Sequence, residues 1–158
     1  YFEGKVPKYN GKPNEVDEEF EKFTIEQIEK FEEKMQEYEI ANALQEIWTL
    51  ISRTNKYIDE TMPWSLAKEE ENKDKLESCM YHLIENLRKI AILIKPFMND
   101  TANIFRQIGI KDQDLKTWEL LKKYDKLNNV QVIKKGEPIF MRLNIEEEIE
   151  YIKNTMKV

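Results

Sequence analysis

Three features predict an all-α fold: a bundle of about five helices, with a short extended or turn segment and a C-terminal surface helix. The chain has 158 residues, of which 41% are hydrophobic and 35% charged, with only four glycines, the balance that amphipathic helices with one solvated face produce. Apolar residues recur at intervals of three and four through most of its length. Proline and glycine fall between the periodic stretches rather than within them. The length suits one compact domain that buries enough surface to fold without staples.

Residues 1–23 read as an irregular lead-in, broken by Gly4, Pro7, Gly11 and Pro13. Thr24 and Gln27 fit a capping box, and Ile28, Phe31, Met35 and Tyr38 follow at helical spacing, so a first helix is expected over 24–38. Leu44, Ile47, Trp48, Ile51, Asn55 and Ile58 continue the pattern, giving a second helix over 40–58 that stops ahead of Pro63. A turn over 59–68 carries Met62-Pro63-Trp64. A long helix over 72–94 follows, with Leu76, Met80, Leu83, Leu87, Ile90, Ala91 and Ile94 inward and Pro96 at its end. Asn99 or Asp100 starts a short fourth helix closed by Gly109, and Asp112 or Asp114 a fifth through Leu121. The bundle proper is expected over 24–126. Residues 127–158 then form an extension, in which Val130–Ile133 and Ile139–Met141 are extended pieces around a turn and Ile145, Ile149 and Ile152 mark a surface helix.

Charge and residue counts exclude several functions. Thirty-one acidic residues exceed 25 basic ones, for a net charge of −6, so the domain as a whole repels phosphate. The acids cluster over 15–39, 69–77 and 146–150, which leaves room for a local neutral or basic surface elsewhere. One cysteine, Cys79, and one histidine, His82, make neither an internal disulfide nor a structural zinc site. The longest apolar run, 90–94, is far short of a membrane span, and the polar N-terminus has no signal-peptide core. A cytosolic, metal-free domain without a membrane partner is the expectation. No Ser or Cys nucleophile stands with a base, and His82, in mid-helix, reads as a partly buried hydrogen-bonding residue. Cys79 reads as a core thiol, and Trp48 and Trp118 as packing residues.

The most informative run is residues 55–68, Asn-Lys-Tyr-Ile-Asp-Glu-Thr-Met-Pro-Trp-Ser-Leu-Ala-Lys. It resembles the Asn-Lys-Tyr…Pro-Trp-x-Leu-Ala-Lys signature of methionyl-tRNA synthetases, class I enzymes in which it joins two helices of the C-terminal anticodon-binding domain. Residues 1–7 (Tyr-Phe-Glu-Gly-Lys-Val-Pro), 80–83 (Met-Tyr-His-Leu), 92–98 (Ile-Leu-Ile-Lys-Pro-Phe-Met) and 135–138 (Lys-Gly-Glu-Pro) look like family segments in family order. A shorter Pro-Trp pattern also occurs in the related leucyl, isoleucyl and valyl enzymes, so the specific likeness rests on Asn-Lys-Tyr and the flanking segments. Departures are Asn99, where the family usually has proline, and Phe140-Met141-Arg142-Leu143-Asn144, where it usually reads Phe-Pro-Arg-Ile-Asp.

The resemblance implies a tRNA-recognition module in which Trp64, beside Pro63, stacks on an anticodon base, whereas an isolated Pro-Trp turn would ordinarily be a packing aromatic. Base–aromatic stacking suits an acidic domain because it needs no positive field. Asn55 ranks second: its place on the inward stripe favours a buried amide bonding the turn backbone over a base contact. Tyr57 reads as a core aromatic rather than a stacking partner. Arg53, Lys56 and Lys68 stand close enough in sequence to meet tRNA phosphates, with solvated helix charges as the plain alternative. The implied partners are a methionine tRNA, through its anticodon loop, and the catalytic domain of the same enzyme.

The family's catalytic half carries two signatures, one with two histidines around Ile-Gly and one Lys-Met-Ser-Lys-Ser loop, and neither occurs here. The ATP and magnesium of the whole enzyme are therefore expected to act elsewhere, with no cofactor in this chain. The family's helix bearing the Asn and Arg that read anticodon edges lies just upstream of the Tyr-Phe-x-Gly segment, which here is residues 1–4. The rival reading is a stand-alone helical protein-interaction module without RNA binding. From the missing signatures, the chain by itself should support no methionine-dependent ATP–pyrophosphate exchange; exchange above a blank, in a preparation free of host synthetase, would contradict this.

Overall fold

A computed structural model describes residues 1–11, 13–98, 100, 102–124, 126–127, 130–132 and 142–156. It is built on helices α1 (Glu15–Gln36), α2 (Ile40–Thr61), α3 (Pro63–Leu66), α4 (Lys73–Ile94), α5 (Ala102–Gln107) and α6 (Ile145–Met156). Helices α1 and α2 form a long antiparallel hairpin, and α4 lies against both.

Helix α1 begins nine residues before the expected Thr24. Asn14 is its N-cap: the Asn14 side chain accepts from Asp17 N–H at 3.0 Å, and Asp17 Oδ2 accepts from Asn14 N–H at 3.2 Å. Residues 15–23 are thus helix rather than lead-in. Thr24 is buried in mid-helix, with its hydroxyl 2.8 Å from the Phe20 carbonyl and 2.8 Å from Asn86 Oδ1. Asn-x-x-Asp is a less familiar cap than Thr-x-x-Gln, and the apolar period before Thr24 is thin.

Helix α2 buries Ala43, Ile47, Leu50, Arg53, Thr54 and Tyr57. That stripe is rotated from the expected one, which leaves Trp48 and Asn55 facing outward. The expected packing role of Trp48 is therefore corrected: it is 47% exposed. Asn55 is likewise no buried amide. Trp118 is 40% exposed but engaged, its indole N–H donating to Glu32 Oε1 at 2.8 Å and its ring 5.8 Å from Phe31.

In α4, Leu76, Ile90, Ala91 and Ile94 point inward as expected, whereas Leu87 faces outward and Met80 and Leu83 are half-buried. Polar residues displace them. Ser78, His82, Glu85, Asn86, Arg88 and Lys89 are all buried. Arg88 pairs with Glu85 within the helix and donates to the Leu115 and Leu120 carbonyls at 2.9 and 3.0 Å, which fastens the segment after α5 to α4. That segment is two 3₁₀ turns, Asp114–Lys116 and Trp118–Leu120, and not the expected fifth α-helix. Extended Thr117 (φ −93°, ψ 153°) separates them, and Arg88 takes up carbonyls that a continuous helix would have bonded internally.

Helix α5 closes as expected at Gly109, where φ is +78° and Ile110 N–H bonds back to the Phe105 carbonyl at 2.8 Å. Space also demands glycine there, since a Cβ would lie 1.9 Å from the Gln131 carbonyl oxygen. Extended residues 130–132 instead pair with the N-terminal segment: Val6 N–H donates to the Val130 carbonyl at 2.9 Å and Val132 N–H to that of Gly4 at 2.7 Å. The expected pieces at 133 and 139–141, the Lys-Gly-Glu-Pro segment and the proposed cap Asn99 lie outside the described residues. Helix α6 is exposed, as expected of a surface helix. Among the described residues, no helix is long and apolar enough to cross a membrane.

Lys89 yields a testable consequence. Its Nζ lies 3.3 Å above the centre of the Tyr124 ring and 4.0 Å from Glu85 Oε1. Burial pulls its pKa from 10.5 down to about 7, against the opposing pull of Glu85. Between those values the unfolded chain holds a proton that the folded chain does not, so this group makes stability rise as pH climbs through that window. Lys89→Met should flatten the rise in urea midpoint from pH 7 upward; an unchanged slope would assign the titration to another group.

Candidate functional site

The α2–α3 turn is shaped by backbone constraints before any side chain acts. Met62 caps α2 in the left-handed conformation (φ 44°, ψ 62°), its N–H bonded to the Ile58 carbonyl at 2.9 Å. Pro63, with φ preset and no N–H to satisfy, then opens α3. Ser65 N–H returns to the Met62 carbonyl at 2.8 Å and Ala67 N–H to that of Pro63 at 3.0 Å. The chain therefore reverses within a few residues. Pro63 is buried at the pivot, while Trp64, one residue on, is 49% exposed.

Beneath the turn lies a small aromatic cluster. Phe20 of α1 and Tyr57 of α2 stack with centroids 4.2 Å apart and planes 15° from parallel, beside Cys79 of α4, with Leu66 and Leu83 against them. Tyr57 is a core aromatic, as expected. Its hydroxyl donates to Asp17 Oδ1 at 2.5 Å, and Ser78 donates to Asp17 Oδ2 at 2.6 Å. Burial first, and then the Asp17 carboxylate, push the Tyr57 phenol far above its ordinary range, so it remains a donor. Thr61 Oγ1 lies 2.7 Å from the Tyr57 carbonyl and 3.1 Å from Cys79 Sγ, tying the last turn of α2 to α4.

His82 belongs to the same framework and is fully buried rather than partly so. Its Nδ1 is 2.7 Å from the Ser78 carbonyl and its Nε2 2.7 Å from Glu21 Oε1, which also accepts from Tyr9 Oη at 3.1 Å. Both ring nitrogens are committed to the scaffold, and the Ser78 hydroxyl, 3.4 Å from Nδ1, is itself held by Asp17 at 2.6 Å. Among the described residues no group of His, Cys, Asp and Glu is arranged to hold a metal ion.

The residues singled out from the sequence divide by burial. Trp64, Asn55, Lys56 and Lys68 are exposed around the turn. Arg53 is not available to a phosphate: it is 8% exposed, its guanidinium sits 5.2 Å from the Phe20 ring centre, and its Nη1 is 2.9 Å from Glu60 Oε2. Its periodicity with Thr54 and Tyr57 carries it inward, and Glu60, with Glu19 at 3.8 Å, supplies the counter-charge. Lys56 keeps its ammonium in solvent, 3.3 Å from Glu60 Oε1. Sequence reasoning missed the exposure of Met62 and Trp48; the lack of acids on the Trp48 face of α2 from Gln45 to Asn55 was the readable signal.

This fold occurs in solved structures of a methionyl-tRNA synthetase. Superposed on Mycobacterium tuberculosis methionyl-tRNA synthetase in complex with methionyl-adenylate, 89% of the chain aligns with 28% of that protein at a TM-score of 0.77 and 22% identity, and the apo form of the same enzyme aligns equally well. The match in sequence is more specific. A family model for the anticodon binding domain of methionyl tRNA ligase matches residues 6–156, and the chain belongs to that family. It is 45% identical to the methionine–tRNA ligase of Listeria innocua over 159 residues and 44% identical to that of Bacillus subtilis over 158. Each alignment covers 99% of this chain and 24% of the relative, so the chain spans about a quarter of their length.

The Cys79 thiol is 1% exposed, and burial pushes its pKa up. It should react with a disulfide reagent slowly in the native state and rapidly once urea unfolds the chain. Fast native-state modification at full stability would mean that the clamp between Thr61 and Cys79 opens.

Proposed function

We propose that this chain recognises the anticodon loop of a methionine tRNA on behalf of a methionine–tRNA ligase, with Trp64 stacking on an unstacked anticodon base. The ligase reaction, with its ATP and magnesium, is assigned to the catalytic domain of the same polypeptide, working in the cytoplasm. One observation carries the reading: Trp64 is half-exposed on a turn that is anchored on both sides of it. Pro63 is buried, Thr61 is tied to Cys79 and Leu66 packs on the aromatic cluster. A ring held out from a fixed turn gives up little freedom when it stacks, which favours affinity. The indole belongs to neither apolar cluster and has no hydrogen-bond partner among the described residues.

The surroundings fit an RNA loop. Asn55 offers an amide to a base edge, and Lys56 and Lys68 offer ammonium groups to phosphates. Arg53 serves from beneath as a positioning residue, bracing Glu60 and Phe20. A domain of net charge −6 gains little long-range attraction for RNA, so local stacking and hydrogen bonds carry the recognition.

Core packing and base stacking demand opposite results from Trp64→Ala. In the intact ligase the variant should keep its stability within about 1 kcal/mol, as an exposed truncation does. Binding of the methionine tRNA should weaken by about 1–3 kcal/mol, and discrimination against a scrambled anticodon should fall. A large fall in melting temperature with unchanged tRNA selection would return Trp64 to the core.

A further inference from the structure

We propose that Trp48 is a second base-stacking platform, taking an unpaired nucleotide of the same RNA that Trp64 engages. The inference rests on the anticodon reading above and extends it along the exposed face of α2.

The three tryptophans differ in how they are satisfied. Trp118 has a ring partner in Phe31 and donates its N–H to Glu32. Trp48 and Trp64 are the more exposed pair, at 47% and 49%. Neither lies in an apolar cluster, and neither has a ring or hydrogen-bond partner among the described residues. Each thus leaves about half its ring and its N–H donor open to a partner.

What surrounds Trp48 indicates the kind of partner it suits. At 100° per residue, Gln45, Trp48, Ser52, Asn55 and Asp59 fall within an arc of about 80° on α2, and all five are exposed. From Gln45 to Asn55 that face offers an amide, an indole, a hydroxyl and a second amide, with no carboxylate. Glu46 projects from the opposite side; with the Gln27 amide turned to donate, its nitrogen lies 2.6 Å from Glu46 Oε2. Helix α1, by contrast, exposes Glu15, Glu18, Glu19, Glu26, Glu29 and Glu33. Within an acidic domain, α2 thus presents from Gln45 to Asn55 a strip that does not repel phosphate, with groups that donate to and accept from base edges around a flat ring. A protein partner suited to so acidic a molecule would be basic and would be met by carboxylates, which the strip from Gln45 to Asn55 lacks. The face also runs into the Trp64 turn. From Trp48 to Met62 the helix rises about 21 Å, roughly six nucleotides of stacked strand at about 3.4 Å each, so one RNA strand reaches both rings.

The test uses the intact ligase with Trp48→Ala, Trp48→Phe and Trp64→Ala, measuring affinity for the methionine tRNA transcript and thermal unfolding. Trp48→Ala should weaken binding about five- to a hundredfold, the range of a single base–aromatic stack. Its melting temperature should not change, nor should the salt dependence of binding, because no phosphate contact is lost. Trp48→Phe should recover most of the affinity. If Trp64→Ala weakens binding and Trp48→Ala does not, the second platform is overturned and the anticodon reading stands. If Trp64→Ala has no effect, both fall together. Lost affinity that comes with a large fall in melting temperature and is not recovered by phenylalanine makes Trp48 a packing residue and overturns the inference.

Discussion

The carboxylate of Asp17 joins three helices at one buried point. It completes the N-terminal cap of α1 by accepting from Asn14 N–H, and it accepts the hydroxyls of Tyr57 from α2 and Ser78 from α4. A fully buried charge is tolerated only when hydrogen bonds replace the water it has lost, and these three donors do so. Their geometry then fixes α1, α2 and α4 relative to one another at the end of the bundle where the α2–α3 turn sits. The Tyr57 ring that reaches Asp17 also stacks on Phe20, and Leu66 of α3 packs against that pair. The pose of Trp64 thus descends from a cap residue more than forty positions earlier in the chain.

Apolar periodicity made the helices legible and concealed this framework. Ile28, Phe31, Ile47, Leu76, Ile90 and Ile94 pointed inward as their spacing predicted. Asp17, His82, Glu85, Asn86, Arg88 and Lys89 are also inside, and a pattern that scores polar residues as outward places every one of them wrongly. The error propagates: with polar groups occupying part of the α4 interior, Leu87 is displaced to solvent, and the buried stripe of α2 rotates so that Arg53 enters while Trp48 and Asn55 leave. The short Met-Pro-Trp turn was legible because proline and an isolated tryptophan have narrow structural meanings. The orientation of α2 beneath it was not, because that depended on which polar groups found partners across sixty residues of sequence.

Recognition of an anionic polymer by a net acidic domain calls for a division of labour among surfaces. The exposed carboxylates on α1 and α6 give those faces a negative field that repels phosphate. On the proposed reading, neutral amides and exposed rings on α2 and α3 would supply contacts whose strength depends on unstacked bases at defined spacing. Such a surface gains little from a double-stranded segment, whose base faces are already covered, and so favours loops.

The antiparallel contact between Lys5 and Gln131, locked by the close approach of Gly4 and Gly109, bears on the order in which the molecule assembles. It joins the start of the chain to a segment more than a hundred residues later, so its closure entropy must be met before it returns any stabilisation. The α1–α2 hairpin, formed from neighbours in sequence, can nucleate without it. During synthesis residues 4–6 would then stay undocked until residues 130–132 had left the ribosome, by which time the helices between them could already have packed.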